Sequence, residues 1–205
     1  ELFLIEQIGE KAWTCLAKPA KRLRVGDILS IGNQLRAKVL QKDSFISVEF
    51  NYEGDFFVHL DELGLPPLPP YIHSDAKAYQ ARYQTVYAEH PGSVAAPTAG
   101  LHFTPEILNE LKDKGHSIYD LTLSVGLGTF RPIETEKIDD HPMHAEEYSI
   151  GPESKKALQD KDGKTLAVGT TTVRTIEHYL SAIDLTPEKT TRAQADLFIR
   201  PAYSF

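Results

Sequence analysis

Residues 96–104 read Ala-Pro-Thr-Ala-Gly-Leu-His-Phe-Thr, a combination that neither a core strand nor an exposed turn explains. Pro97 and Gly100 stand too close together for the interior of a strand. The leucine and phenylalanine around the histidine are unusual for a turn in solvent. The stretch therefore predicts backbone packed closely around a pocket, with His102 at its edge.

Three later stretches resemble it in placing small residues, in two of them glycines, beside a basic or imidazole side chain. They are 124–132 (Ser-Val-Gly-Leu-Gly-Thr-Phe-Arg-Pro), 143–148 (Met-His-Ala-Glu-Glu-Tyr) and 167–174 (Ala-Val-Gly-Thr-Thr-Thr-Val-Arg). Open α/β sheets bind ligands where strands end and turns lead into helices, and a helix N-terminus suits a carboxylate or a phosphate. We therefore expect these stretches and 96–104 to converge on one site.

Composition bounds the class of protein. The 205 residues are 41% hydrophobic and 25% charged, ordinary values for a globular protein of one or two domains. The net charge of −7 means that any RNA-binding surface must be a local basic patch. Cys15 is the single cysteine, which excludes an internal disulfide and a cysteine-built zinc site. Because the chain has no signal peptide and no apolar run of about 18 residues, we expect a cytoplasmic protein without membrane contact.

The chain divides by pattern into two domains. Residues 1–64 are predicted to form a small β-barrel, because short apolar segments recur between Gly, Asn and Asp turns. Residues 65–72 include four prolines, which fix an extended connector. Residues 73–205 alternate strand and helix patterns and are predicted to form a three-layer α/β domain with a mixed sheet. The chain lacks an initiator methionine and both ends read as strands, so we expect both domains to be partial.

The elements of the second domain are predicted from periodicity, caps and turn residues. Helices are expected at 77–90, from 105 to about 114, at 154–159 and after Gly169; strands are expected at 92–96, 117–123, 164–168 and 196–201. In the first domain, 55–63 is expected to be a short helical turn with Leu60 and Leu63 inward.

His102, His144 and Glu146 are the candidates for acid–base chemistry, because imidazole titrates near neutral pH and a carboxylate can share a proton with it. A packing role for His102 is the alternative. Together with His144 and Glu146, the residues His141 and Glu147 form a sequence pattern that is similar to a metal site. No further ligand is placed by the sequence, so a structural or solvated role is favoured and no metal is predicted.

Two groups of cations have two interpretations each. Residues 18–24 hold Lys18, Lys21, Arg22 and Arg24, which form either a solvated loop or a phosphate contact. Arg174 lies on the first turns of a predicted helix, where it holds an anion or pairs with Glu177 on the same face.

At these residues the chain resembles the S-adenosylmethionine:tRNA ribosyltransferase-isomerases of queuosine biosynthesis. The resemblance is carried by residues 95–104, 125–132, 143–146 and 167–171, with 68–72, 82–88 and 196–199 matching in the same order. Ser124 is a departure, since the family usually has a histidine before Val-Gly-Leu-Gly. Several long motifs in order over nearly the whole chain are far more specific than any short pattern.

The resemblance implies a β-barrel inserted in an α/β domain, with the chain beginning inside the insert. It implies transfer and isomerisation of the ribosyl group of S-adenosylmethionine onto 7-aminomethyl-7-deazaguanine in tRNA, which gives epoxyqueuosine and releases adenine and methionine. It implies no cofactor beyond S-adenosylmethionine as ribosyl donor, tRNA as partner and a monomer. A non-catalytic tRNA-binding module is the main alternative, and a methyltransferase yielding S-adenosylhomocysteine is a third.

Site residues follow from the same resemblance. His102, His144 and Glu146 share the acid–base work. The substrate contacts are Thr98, Gly100, Phe103, Thr104, Gly126, Gly128, Thr129, Gly169, Thr170 and Thr171. The tRNA contacts are Lys18, Lys21, Arg22, Arg24, Arg131 and Arg174.

Overall fold

A computed structural model describes residues 1–68, 82–126, 135–138, 143–160, 163–181 and 188–205. The chain divides into two compact units, Glu1–Gln80 and Ala81–Phe205. The predicted connector at 65–72 lies partly outside the described residues, and the limits 1–64, 65–72 and 73–205 stay a prediction.

The first unit is built on one antiparallel sheet. Its strands are β1 (Leu2–Gln7), β2 (Ala12–Ala17), β3 (Ile28–Ile31), β4 (Leu35–Lys42) and β5 (Ile46–Asn51), in the order β1-β2-β5-β4-β3. The short apolar segments between the predicted turns, at 2–5, 11–17, 28–31, 35–40 and 45–50, correspond to these strands. The order ends on β1 and β3, and no ladder joins these two within residues 1–68, so the sheet is open where a closed barrel was predicted.

Side-chain alternation explains where the core of this sheet lies. Successive side chains of a strand point to opposite faces; accordingly Leu35, Ala37 and Val39 of β4 are buried while the residues between them are exposed. The buried cluster on the inner face comprises Cys15, Leu35, Ala37, Val39, Ile46, Val48, Phe50 and Phe56.

Helix α1 (Phe56–Leu63) covers one part of that core. The Asp55 side chain caps it by accepting a hydrogen bond from the N–H of Phe57 at 2.7 Å. The ring of Phe56 packs on Phe50, with ring centroids 4.8 Å apart. Leu60 packs on the core as expected, whereas Leu63 is 39% exposed and the buried residue of the helix is Phe56.

The described part of the second unit combines three strands with three helices. The strands β6 (Leu121–Leu123), β7 (Glu146–Ile150) and β8 (Thr191–Ala195) form a sheet of order β6-β7-β8. The helices are α2 (Pro105–Asp113), α3 (Pro152–Gln159) and α4 (Thr170–Ser181). Tyr148, Ile150, Tyr179 and Ala195 make the buried centre. The protein is therefore an α/β protein. A mixed sheet was predicted for this unit, but both ladders between its described strands are antiparallel.

Several expectations for this unit are corrected. Residues 82–90 form turns rather than helix, and 92–96 form no strand. Residues 164–168 are irregular, with Leu166 84% exposed, where a buried strand was expected. The last strand is 191–195 rather than 196–201, and β7 was not predicted at all.

The described helices include none that combines the length and the apolar character needed to cross a bilayer.

Candidate active site

The 96–104 stretch forms a tight corner before a helix. After Pro97, residues Thr98–His102 make one short 3-10 turn, and His102 is exposed at its end. Thr104 then caps α2, its hydroxyl accepting a hydrogen bond from the N–H of Ile107 at 3.3 Å. The same hydroxyl holds the pKa of the Glu106 carboxyl below its usual value.

Gly100 explains why this corner needs a residue without a side chain. It is buried, and a Cβ built on it would collide with the hydroxyl of Tyr87 and lie 2.8 Å from Cγ2 of Thr85. Burial raises the pKa of Tyr87, and the charge of Asp120 raises it further. The glycine is thus required by close packing against the turn at 85–88.

The 167–174 stretch forms a second corner before α4. Gly169 has a φ of +90°, a conformation that favours glycine, directly before Thr170 begins the helix. A Cβ on Gly169 would lie 3.5 Å from the Cβ of Ala99. The corners at 96–104 and 167–174 therefore lie next to each other, with room for little more than one methyl group between Gly169 and Ala99.

The 124–132 stretch is described only to Gly126, so Gly128, Thr129 and Arg131 lie outside the described residues. Its first part runs alongside β7, because the N–H of Ser124 donates to the carbonyl of Glu147 at 2.8 Å. The N–H of Gly126 donates to Oε1 of Glu146 at 3.3 Å. This hydrogen bond joins the 124–132 stretch to the 143–148 stretch.

Arg174 connects the third and fourth stretches. Its Nη1 pairs with Oε2 of Glu146 at 2.7 Å, and the side chains of Arg174 and Glu146 are only 13% and 6% exposed. Its Nη2 donates to the carbonyls of His144 at 2.8 Å and Ala195 at 2.6 Å, and its Nε donates to the carbonyl of Leu197 at 2.9 Å.

This arrangement changes the interpretation of Arg174. Of the two alternatives from the sequence, the pair with Glu177 is not found, and the anion that Arg174 holds is the carboxylate of Glu146. The guanidinium also donates to three carbonyls, and a contact with a tRNA phosphate stays a prediction. Glu177 instead accepts a hydrogen bond from the hydroxyl of Tyr203 at 3.0 Å. The sequence analysis missed this pair because it did not predict that Glu146 is buried on a strand. Nothing in the local sequence indicates that positions 146 and 174 are neighbours.

All four stretches are therefore linked through described residues. Ala99 lies next to Gly169, the N–H of Gly126 donates to Glu146, and Glu146 pairs with Arg174. The remaining predicted site residues differ in exposure. Exposed are Thr98, His102, Thr104, His144 and Thr170; partly exposed are Phe103, Gly126, Gly169 and Thr171.

The basic loop at 18–24 belongs to the first unit. Ala20–Arg22 form a 3-10 turn, and Ala20 and Leu23 pack on the core of that unit. The cations Lys18, Lys21, Arg22 and Arg24 are all exposed. Exposed cations on an anchored loop are compatible with either predicted role, a solvated surface or a phosphate contact.

Among the residues that the structure describes, no group of three or more His, Cys, Asp or Glu side chains is arranged to hold a metal ion. His141, which belongs to the metal-like pattern of the sequence analysis, lies outside the described residues.

Comparison with known proteins gives the family. The family model described as queuosine biosynthesis protein matches residues 1–205. The chain belongs to this family. The resemblance found in the sequence motifs is thereby confirmed at the level of the family.

Two members of the queuosine biosynthesis family show how the chain compares with known relatives. The S-adenosylmethionine:tRNA ribosyltransferase-isomerase of Natranaerobius thermophilus is 44% identical in an alignment of 212 positions. That alignment covers 100% of this chain and 61% of the relative. The solved S-adenosylmethionine tRNA ribosyltransferase from Thermotoga maritima is 27% identical, covered over 100% of this chain and 55% of its own, with a TM-score of 0.38. The chain thus spans 61% of the length of the curated relative it matches.

Proposed function

We propose that this protein transfers and isomerises the ribosyl group of S-adenosylmethionine onto 7-aminomethyl-7-deazaguanine in tRNA, giving epoxyqueuosine-tRNA, adenine and methionine. The observation that carries the proposal is membership of the queuosine biosynthesis family over all 205 residues. The name of the 44% identical relative supports the same reaction. The linkage of the four motif stretches supports a single site.

The chemistry needs one base and one acid. The sulfonium of S-adenosylmethionine acidifies the hydrogens on the adjacent ribose C5′, so a general base can start the reaction. Adenine leaves as a nitrogen anion unless an acid protonates it. His102 and His144 are exposed, which keeps their imidazoles accessible to a bound substrate. We assign the proton transfers to these two side chains, with Glu146 as the third candidate.

The two neighbouring corners offer the donors for the rest of S-adenosylmethionine. Thr98 and Gly100 lie in one corner, and Thr170 and Thr171 begin α4 in the other. Hydroxyls and free N–H groups at a helix N-terminus suit the carboxylate of the methionine part or the ribose hydroxyls. S-adenosylmethionine is the ribosyl donor, and no further cofactor is proposed.

The tRNA contact is proposed on the first unit. Lys18, Lys21, Arg22 and Arg24 place four exposed cations on one loop of a chain whose net charge is −7. Such a local patch attracts phosphates without base specificity. We further propose that the open sheet belongs to an inserted barrel domain, the second unit to a three-layer α/β domain, and that the protein acts as a cytoplasmic monomer.

Product analysis tests the reaction. We expect the intact natural protein, given labelled S-adenosylmethionine and tRNA carrying the 7-aminomethyl-7-deazaguanine precursor, to release adenine and methionine in step with labelling of the tRNA. Binding of tRNA without adenine release would point to a tRNA-binding module, and S-adenosylhomocysteine would point to a methyltransferase.

Replacement of His102 tests the site. His102→Ala is expected to abolish adenine release while leaving the thermal unfolding midpoint near that of the unaltered protein, because the side chain is exposed. His116→Ala, also exposed in the same unit, is the matched control and should retain activity. Full activity of His102→Ala would refute its role.

A further inference from the structure

The geometry points to Arg174 as a positioning residue that fixes two of the motif stretches by hydrogen bonds, with Glu146 as its relay. The inference rests on the proposed function, because it names what holds the proposed site in shape. A guanidinium offers N–H donors in a planar fork of fixed geometry, so its acceptors must lie at defined places.

The acceptors of Arg174 come from two segments far apart in sequence. The carbonyl of His144 precedes β7, while the carbonyls of Ala195 and Leu197 lie at the end of β8. Arg174 itself stands four residues into α4. One side chain thus fixes the approach to β7, the exit from β8 and the first turns of α4 relative to one another.

Glu146 carries the constraint to a third segment. Its Oε2 accepts from Arg174 at 2.7 Å and its Oε1 accepts from the N–H of Gly126 at 3.3 Å. Both carboxylate oxygens are used in holding neighbouring groups. This favours a positioning role for Glu146 over the acid–base role considered for it.

Stability alone is a poor explanation of this pair. Buried ion pairs commonly contribute little to stability, because the cost of removing both charges from water offsets their attraction. Leaving either charge buried without its partner is costly, which ties the two residues together. What the pair supplies is a defined position for the backbone at His144 and at Gly126, the two flanks of the proposed site.

Kinetics of adenine release by the intact natural protein test the inference. Arg174→Lys keeps the charge but not the fork, and we expect kcat per folded molecule to fall by about 100-fold, the loss that follows displacement of reacting groups by about 1 Å. We expect KM for S-adenosylmethionine to change by less than about threefold, because substrate is held by other residues. A purely structural role would lower the folded fraction and leave kcat per folded molecule unchanged, and that result would overturn the inference.

Arg192 offers a matched control on β8. It is exposed and its neighbour across the ladder is Ser149. Arg192→Lys should leave kcat within about twofold of the unaltered protein, since surface substitutions away from special features have small effects. An equal loss in both variants would also overturn the inference.

Hydrogen exchange separates the positioning role from the proposed reaction. In Arg174→Lys we expect faster amide exchange at 124–126 and 143–146, but not in Arg192→Lys. Unchanged exchange at these segments would overturn the inference even if activity fell. If the unaltered protein releases no adenine but Arg174→Lys still shows faster exchange at these segments, the proposed reaction is contradicted and the positioning contacts are upheld.

Discussion

Cys15 is the clearest case of a residue whose chemistry is set by its surroundings. The side chain is 0% exposed, its Sγ lies 3.2 Å from the carbonyl of Ile46, to which the thiol donates, and burial raises its pKa from 9.0 to about 11. The fold therefore favours the neutral thiol. The residue acts as a small apolar core residue with a weak donor.

A stability prediction follows for alkaline pH. Because the pKa of Cys15 is raised in the folded state, its contribution is complete below the unfolded value of 9.0 and is lost as pH rises toward about 11. We expect the difference in free energy of unfolding between the unaltered chain and Cys15→Ala to shrink across this window. Urea unfolding of both proteins at several pH values measures it, and a difference that stays constant would contradict the prediction.

Single residues also mark how far the sequence could be interpreted. The closeness of Pro97 and Gly100 correctly indicated crowded backbone, since Gly100 does pack against Thr85 and Tyr87. The partner of Arg174 could not be predicted. The choice between Glu177 on its own helix and Glu146 on a strand 28 positions away is made by tertiary packing.

At the scale of elements, helix α2 begins as its sequence predicts. Thr104 is the N-cap, Pro105 occupies the first turn, and Glu106 adds an acid there. The hydroxyl of Thr104 therefore accepts from the N–H of Ile107 as an N-cap, and its predicted contact with the substrate stays a prediction.

The cap gives a prediction for this helix. Thr104→Ala should lower the free energy of unfolding by about 1 kcal/mol, because the N–H of Ile107 loses its acceptor. Thr104→Ser keeps the hydroxyl and serves as the control, with stability close to that of the unaltered protein. Urea unfolding followed by circular dichroism measures both, and equal losses in the two variants would speak against the capping role.

The strands of the two units differed in how well they could be predicted. Short apolar segments between turn residues correctly indicated all five strands of the first unit. Strand β7 escaped because its inward residues are Glu146, Tyr148 and Ile150, so a charge stands where an apolar residue was expected. The inward residues of strand β8 are small, so its sequence lacks the large apolar side chains that indicate a strand. Residues 164–168 were wrongly predicted as a buried strand because Leu166 is apolar, although it is exposed.

At the scale of the whole molecule, two separate hydrophobic clusters correspond to the two units. Proline-rich composition suggested a division of the chain, and two compact units are found. The open first sheet and the antiparallel pairing of the second sheet could not be predicted, because strand order and direction depend on contacts between distant segments rather than on local pattern.

Two matched core variants test whether the clusters unfold separately. Ile46 and Ile150 are 3% and 0% exposed, one in each cluster, and replacing either by alanine should cost about 2–5 kcal/mol. Trp13, the single tryptophan, packs on the first cluster. We expect Ile46→Ala to lower the midpoint of tryptophan fluorescence in urea, and Ile150→Ala to shift circular dichroism while leaving that midpoint in place. Equal shifts of fluorescence in both would show a single cooperative unit.

The hydroxyl of Ser93 has a consequence for how the chain after β6 can vary. It donates to the carbonyl of Leu123 at 3.0 Å and accepts from the N–H of Val125 at 3.1 Å, so one oxygen serves both backbone groups where the strand ends. The side chain at Ser124 takes no part in this junction. Because the Ser93 hydroxyl and two backbone groups make both hydrogen bonds, the side chain at position 124 can change without removing either of them.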